Sequence, residues 1–247
     1  MNLKLQPKDE AKENLLALKA NSYPGRGIIV GLDESGQYLI QVYWIMGRSE
    51  NSRNRIFVQG SGGVLKTAPA DPGKVKDPSL IIYTAMSETL TKYAVSNGHQ
   101  TIPALATNGM EDLMETWQYE PDAPNYTPRI TALFDFDKKV NGGMMAKMLI
   151  LKKSPFSEDC DSYLYDLAVN SPGLGYCMTT YDGDGDPLPS FSGDPYLLPL
   201  EGDIDTVAQN IWKSLHGENR ISLAVKFINL NIGESELRTI NKYEAVK

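Results

Sequence analysis

The stretch Gly27–Met46, GIIVGLDESGQYLIQVYWIM, decides the fold class. Its two halves, GIIVGL and QYLIQVYWIM, are dense in Ile, Val, Tyr and Trp, side chains that suit a pleated and half-buried surface. Between them Asp33-Glu34-Ser35-Gly36 supplies the Asp, Ser and Gly of a tight turn. Two strands joined so closely must pair antiparallel, because a parallel pair needs a long crossover.

Working outward, further strand-like segments are RIFVQG, Thr127 to Phe136, Met144 to Lys153, Gly175 to Asp182 and Ser222 to Leu230, with Asn141-Gly142 as the turn between the second and third of these. Helical patterning is sparser. Residues 8 to 20, KDEAKENLLALKA, place Ala11, Leu15, Leu16 and Leu18 near one side. Asp77-Pro78 reads as an N-cap and first-turn proline opening a helix through LIIYTAMSETLTKYA, with Leu80, Ile81, Tyr83, Thr84 and Met86 available for packing. A further helix runs from Pro103 through Met114, with Asn108-Gly109 a weak point inside it, and another is capped by Asp203 or Asp205 and runs to His216. Ser61 to Lys76 reads as a loop. Strands in hairpin runs with grouped helices predict an α+β layered domain over a doubly wound parallel sheet. The chain shows no internal repeat, low-complexity tract or interdomain linker.

Composition narrows the function classes. At 247 residues, 41% apolar and 22% charged, the chain can bury a sizeable core without disulfides. No apolar run approaches the ~18 residues of a membrane-spanning helix, and MNLKLQPKDEAKEN carries acids where a signal peptide has its apolar stretch, so the expected address is the cytoplasm. Cys160 and Cys177 form no CxxC pair, and His99 and His216 lie far apart, which gives little support to a structural zinc. The formal charge of −7 argues against a general nucleic-acid coat. It leaves room for positive charge gathered at one small-anion pocket.

GRSENSRNR, Gly47 to Arg55, is the strongest local signal for such a pocket. Arg48, Arg53 and Arg55 are interleaved with Ser49, Asn51, Ser52 and Asn54, and each guanidinium fork can donate two charge-assisted hydrogen bonds to a phosphate. On an extended segment Arg53 and Arg55 point the same way. Composition alone allows a solvated basic turn as well. YEPDAPNYTPRI, Tyr119 to Ile130, offers Glu120 and Asp122 as a carboxylate pair that can divide acid and base roles, followed by Arg129. Its plain reading is a polar loop. Asn97-Gly98-His99 is a polar corner. In YDGDGDPLPSF the alternating Asp182, Asp184 and Asp186 suggest calcium, but Pro187 and Gly193 stand where an EF-hand loop needs Gly and Glu, which favours a polar turn or active-site loop. GSGG, Gly60 to Gly63, lacks the context of a phosphate-binding loop and reads as a flexible one.

Taken in order, GRGIIVG, YWIMGRSENSRNR, the segment ending in VSNGHQT, YEPDAPNYTPRI and TTYDGDGDPLPSF resemble the archaeal-type IMP cyclohydrolases over roughly residues 24 to 230. The resemblance implies a four-layer αββα sandwich like that of the N-terminal-nucleophile hydrolases, in a single domain spanning 1–247 with residues 1–22 as an N-terminal extension. It implies closure of the purine ring of 5-formamidoimidazole-4-carboxamide ribotide to IMP and water, with a purine ribonucleotide as substrate and without metal or organic cofactor. Nucleic acid and membrane are not expected partners, and a homo-oligomer is left open. It also implies site roles: Glu120, Asp122, Tyr83 and Arg53 in catalysis, and Arg26, Arg48, Arg55, Asn97 and Arg129 in substrate binding. Arg53 and Arg55 remain alternatives for the phosphate contact. Two other functions stay open: an amide hydrolase of related fold, and a purine-nucleotide-binding protein without catalysis.

Overall fold

The computed structural model describes residues 6–75, 78, 81–140 and 143–245. The hairpin expected at the start of the chain is its centre: β1 (Gly27–Leu32) and β2 (Tyr38–Met46) pair antiparallel with Ile29 opposite Val42. The Asp33 carboxylate fixes the turn by accepting from the backbone N–H of Ser35, Gln37 and Tyr38. Both strands are buried almost throughout, because each face of the hairpin meets a different core.

The remaining strands are β3 (Ile56–Gln59), β4 (Leu65–Ala68), β5 (Thr84–Glu88), β6 (Lys92–Ser96), β7 (Arg129–Val140), β8 (Gly143–Lys153), β9 (Cys160–Val169), β10 (Leu174–Thr179), β11 (Tyr196–Pro199), β12 (Arg220–Asn229) and β13 (Ser235–Asn241). They form two antiparallel sheets. One has six strands in the order β11-β10-β1-β2-β12-β13, and the other seven in the order β3-β4-β5-β6-β7-β8-β9. The α+β expectation therefore holds in its coarse form, two antiparallel sheets with few helices.

Several local expectations are corrected. The segment expected as a helix after Pro78 is the hairpin β5–β6; the Asp77 cap, Leu80 and the Asn141-Gly142 turn lie outside the described residues. Ser61 to Lys76 is not all loop, since it holds β4 and a 3-10 turn at Pro72–Lys74. Elements β9, β11 and β13 carried no expectation at all.

Helices α1 (Pro7–Ala20) and α5 (Ile204–Ser214) bury Leu18, Ile204, Val207, Ala208 and Ile211 against Ile29, Val42 and Trp44 of the six-stranded sheet. In α5 the apolar spacing i, i+3, i+4, i+7 makes that stripe, and the Asp203 carboxylate caps the helix by accepting from the Thr206 N–H. On the seven-stranded sheet, α3 (Thr101–Ala104) and α4 (Gly109–Thr116) set Ala104, Met110 and Leu113 on Ala94, Leu133 and Leu149. The expected single helix is broken between them, as Asn108-Gly109 suggested. The inner faces of the two sheets share the largest core, with Ile28, Val30 and Tyr43 against Tyr83, Val95, Ile130 and Met148. Each fully buried aliphatic side chain there contributes about 1.5–3 kcal/mol relative to exposure. Among the described residues no helix is long and apolar enough to cross a membrane.

Candidate active site

At one end of the sheet pair, five chain segments meet: the approach to β1, the β2–β3 connection, the exit of β6, the entry to β7 and the exit of β10. They enclose a cavity of about 320 Å³, near the lower end of the ~300–1,000 Å³ range of small-molecule sites.

Arg26 and Arg55 form its positive side. Gly25, at φ 75°, carries the chain past Thr180 and Tyr181 so tightly that a Cβ would overlap both side chains, and Arg26 is thereby delivered beside them. The Arg26 N–H then donates to Thr180 Oγ1 at 3.1 Å. Arg55 is only 3% exposed. Among the described residues neither guanidinium has a carboxylate partner, and Arg26 Nε together with Arg55 Nε and Nη1 is buried without any hydrogen-bond acceptor. Burial lowers the pKa of Arg55, and the like charge of Arg26 lowers it further. Around Arg26 burial also opposes the charge, but the oxygens of Tyr181, Tyr83, Tyr23 and Tyr43 outweigh it and hold the proton on more firmly. Buried charge without a counterion is costly, and an incoming anion would satisfy both groups at once.

Arg48 guards the mouth. It stacks 4.9 Å above the Tyr23 ring and donates to the Asp184 carboxylate and to the Gly185 carbonyl at 3.0 Å. The Asp-rich segment is therefore a wall of this cavity, and Asn125 Oδ1 ties it down by accepting from the Leu188 N–H at 3.1 Å. Among the described residues no three His, Cys, Asp or Glu side chains are grouped as metal ligands.

Glu120 and Asp122 supply the negative side. Arg129 grips Glu120 in a bidentate pair, with Nη1–Oε1 2.5 Å and Nη2–Oε2 3.0 Å, while its other donors go to Gln118 O and Gln100 Oε1. Burial raises the Glu120 carboxyl above the usual carboxylate range, by more than Arg129 and Arg26 pull it down. Both Asp122 oxygens accept from Thr127, from its N–H at 2.6 Å and its hydroxyl at 2.5 Å.

Six of the nine expected residues thus line one cavity: Arg26, Arg48, Arg55, Asn97, Glu120 and Asp122. Asn97 does so with its amide committed, donating to Pro128 O and accepting from Ile130 N and Gln100 Nε2. The other three are placed elsewhere. Arg129 stands behind Glu120. Tyr83 is buried between the sheets, its hydroxyl 2.6 Å from that of Tyr43. Arg53 lines a neighbouring cavity and donates to Gly47 O and Asn219 Oδ1. The expected common direction of Arg53 and Arg55 is corrected because the segment is not extended: Ser49 and Ser52 close a capping box and wind Glu50–Arg53 into a helical turn, α2. The sequence reading missed Tyr23, Asn125, Thr127, Tyr181 and Leu188 as lining residues. Only the peculiarity of the Asp-rich segment hinted at the last two.

Fold and site together define an α+β protein with a polar cavity that sets Arg26 and Arg55 across from the half-buried Glu120 carboxylate. The family model described as IMP cyclohydrolase-like protein matches residues 23–233, and the chain belongs to that family. No curated protein matches the chain.

Proposed function

We propose that this protein is an IMP cyclohydrolase, closing 5-formamidoimidazole-4-carboxamide ribotide to IMP and water in the cytoplasm, on a four-layer αββα frame of the N-terminal-nucleophile hydrolase type. The observation that carries the reading is the meeting, within one cavity, of two arginines that have no carboxylate partner among the described residues, Arg55 buried and Arg26 half-buried, with the half-buried Glu120 carboxylate, whose pKa is raised. Helices packed on the outer face of each sheet support the layered frame.

In this reaction the carboxamide nitrogen attacks the formyl carbon, and the formyl oxygen leaves as water. Holding the two groups at attack distance can supply up to ~7–11 kcal/mol in favourable intramolecular systems. Arg26 and Arg55 suit the phosphate or the formyl oxygen as it gains negative charge, and Arg48 suits the phosphate at the mouth. Glu120 takes the proton of the attacking nitrogen, and its raised pKa brings it closer to neutrality, where general acid–base catalysts work best. Arg129 holds that carboxylate in place.

The test is to incubate the purified protein with the formamido ribotide and follow IMP. Steady multiple turnover is expected. Nucleotide binding without IMP formation would replace this reading with a binding protein, and a covalent enzyme adduct would replace it with an amide hydrolase.

A further inference from the structure

Ring closure as proposed above has a proton balance that one carboxylate serves only in part. The attacking carboxamide nitrogen and the formamido nitrogen each lose one proton, the oxygen leaves with both, and the C–O bond breaks as the new ring C–N bonding is completed. Glu120 accounts for the first transfer.

Beside Glu120, whose backbone N–H donates to Thr127 O at 2.9 Å, lies a chain of polar groups that the ring closure above leaves without a step. Tyr181, Thr127 and Asp122 all line the cavity, although Tyr181 is 54 residues from Thr127 in sequence. Thr127 Oγ1 has a single proton, and the Asp122 Oδ2 carboxylate oxygen at 2.5 Å accepts it. The Tyr181 hydroxyl, 2.6 Å from Thr127 Oγ1, must then be the donor in that contact. The hydrogen bonds therefore run one way, from Tyr181 to Thr127 to Asp122, and both ends open on the same cavity. Thr127 is 1% exposed, so bulk water does not interrupt the middle. Burial raises the Tyr181 pKa and disfavours a free tyrosinate, so proton uptake at this ring is favoured only if its own proton moves on in concert.

Resting on the ring-closing reading, we propose that Tyr181, Thr127 and Asp122 form a second proton-transfer unit. The Tyr181 oxygen takes a proton from the formamido nitrogen as it passes its own to Thr127, and Thr127 passes its proton to the Asp122 carboxylate. Asp122 then gives that proton to the departing oxygen. Glu120 gives the same oxygen the proton it took from the carboxamide nitrogen, so all four side chains return to their starting protonation states and the oxygen leaves as water with two protons, one for each proton lost by the nitrogens.

The simpler role for the Asp122–Thr127 contact is to close the loop before β7, and the backbone N–H of Thr127 already serves it. Hydroxyl and backbone roles are separable by substitution. Tyr181→Phe keeps the ring stacked on Tyr23, Thr127→Val removes only the hydroxyl, and Thr127→Ser retains it. Turnover of the formamido ribotide is measured for wild type and the three variants, with proton inventories in mixed light and heavy water. Tyr181→Phe and Thr127→Val are expected to lose about 100-fold in kcat with KM little changed, as for loss of a general acid–base group. Thr127→Ser is expected to stay near wild type. The wild-type inventory should be curved, and that of Thr127→Val closer to linear. Full kcat in Tyr181→Phe, or Thr127→Ser as slow as Thr127→Val, overturns the relay while leaving ring closure intact. Absence of turnover in the wild type overturns ring closure itself and the relay with it. If Thr127→Val does not fold, Tyr181→Phe decides.

Discussion

Positive charge is buried at both ends of the sheet pair, and the two ends treat it differently. At one end Lys226 on β12 has no exposed side-chain surface, and its ammonium is paired within the protein, donating to Glu88 Oε2 at 2.6 Å and to Gly63 O at 2.5 Å. Glu88 in turn accepts from Ser235 Oγ. At the other end Arg55 is buried and Arg26 half-buried; among the described residues no carboxylate pairs with either, and three of their nitrogens are buried and unsatisfied. The first arrangement is complete within the protein and joins the two sheets. The second, on the function proposed above, is completed by an anion. Burial of charge is common to both; what separates a structural cation from a receptor is whether its hydrogen bonds are already used.

The largest expected effect lies beside the receptor. Glu120→Gln should lower kcat by about 10²–10⁴-fold, the usual contribution of a general acid–base group, in steady-state assays of ring closure. Its pH dependence follows from the direction of the shift. Because burial raises the folded-state pKa, the base form emerges only above the ordinary glutamate value of ~4.3, so activity should climb with pH through that raised value. The folded state binds this proton more tightly than the unfolded state. The stability it contributes is therefore fully present below the unfolded pKa and is lost as pH rises through the folded one. Both the activity limb and this stability slope should vanish in Glu120→Gln.

At the structural end the effect is on folding. Lys226→Met removes one member of a buried pair and leaves Glu88, whose side chain is 18% exposed, without its cation. Urea unfolding should show a loss of about 3 kcal/mol, the low end of the range for breaking such pairs because Glu88 keeps some water. A loss below about 1 kcal/mol would mean that the pair is not what joins the sheets there. Smaller still is Asp184→Asn at the mouth. Its pair with Arg48 is substantially exposed, so stability should change by no more than about 1 kcal/mol. Freed of Asp184, Arg48 should bind inorganic phosphate more readily, visible as a lower Kd by titration calorimetry.

How legible these regions were in sequence depended on whether a signal was local. The β1–β2 hairpin announces itself through a turn flanked by β-branched runs, and α5 through its cap and apolar stripe. The β5–β6 hairpin was misread as a helix because both faces of β6 are covered: Tyr93 and Val95 face the inter-sheet core while Ala94 faces α3 and α4, which erases the alternation that marks a strand. Its Ala, Met, Leu and Glu content added helical propensity. At the other extreme β13, SELRTIN, is an edge strand too polar to be noticed. In the site, Arg26, Arg48, Arg55, Glu120 and Asp122 were legible from short strings. Arg53 was not separable from Arg55, because a capping box made from Ser49 and Ser52 lacks the usual Glu or Gln at its third helical position. The link from Tyr181 to Thr127 joins the exit of a strand in one sheet to the entry of a strand in the other, which only the stacking of the two sheets brings together, and no spacing records it.

The contrast between the two ends is tested most directly by titrating IMP into wild type, Arg55→Met and Lys226→Met below their melting temperatures. The receptor reading predicts that wild type and Lys226→Met bind alike, and that Arg55→Met binds at least about 10-fold more weakly, a loss of ~1.4 kcal/mol, while being no less stable than wild type. Equal affinity in Arg55→Met, or absence of binding to the wild type, would contradict it.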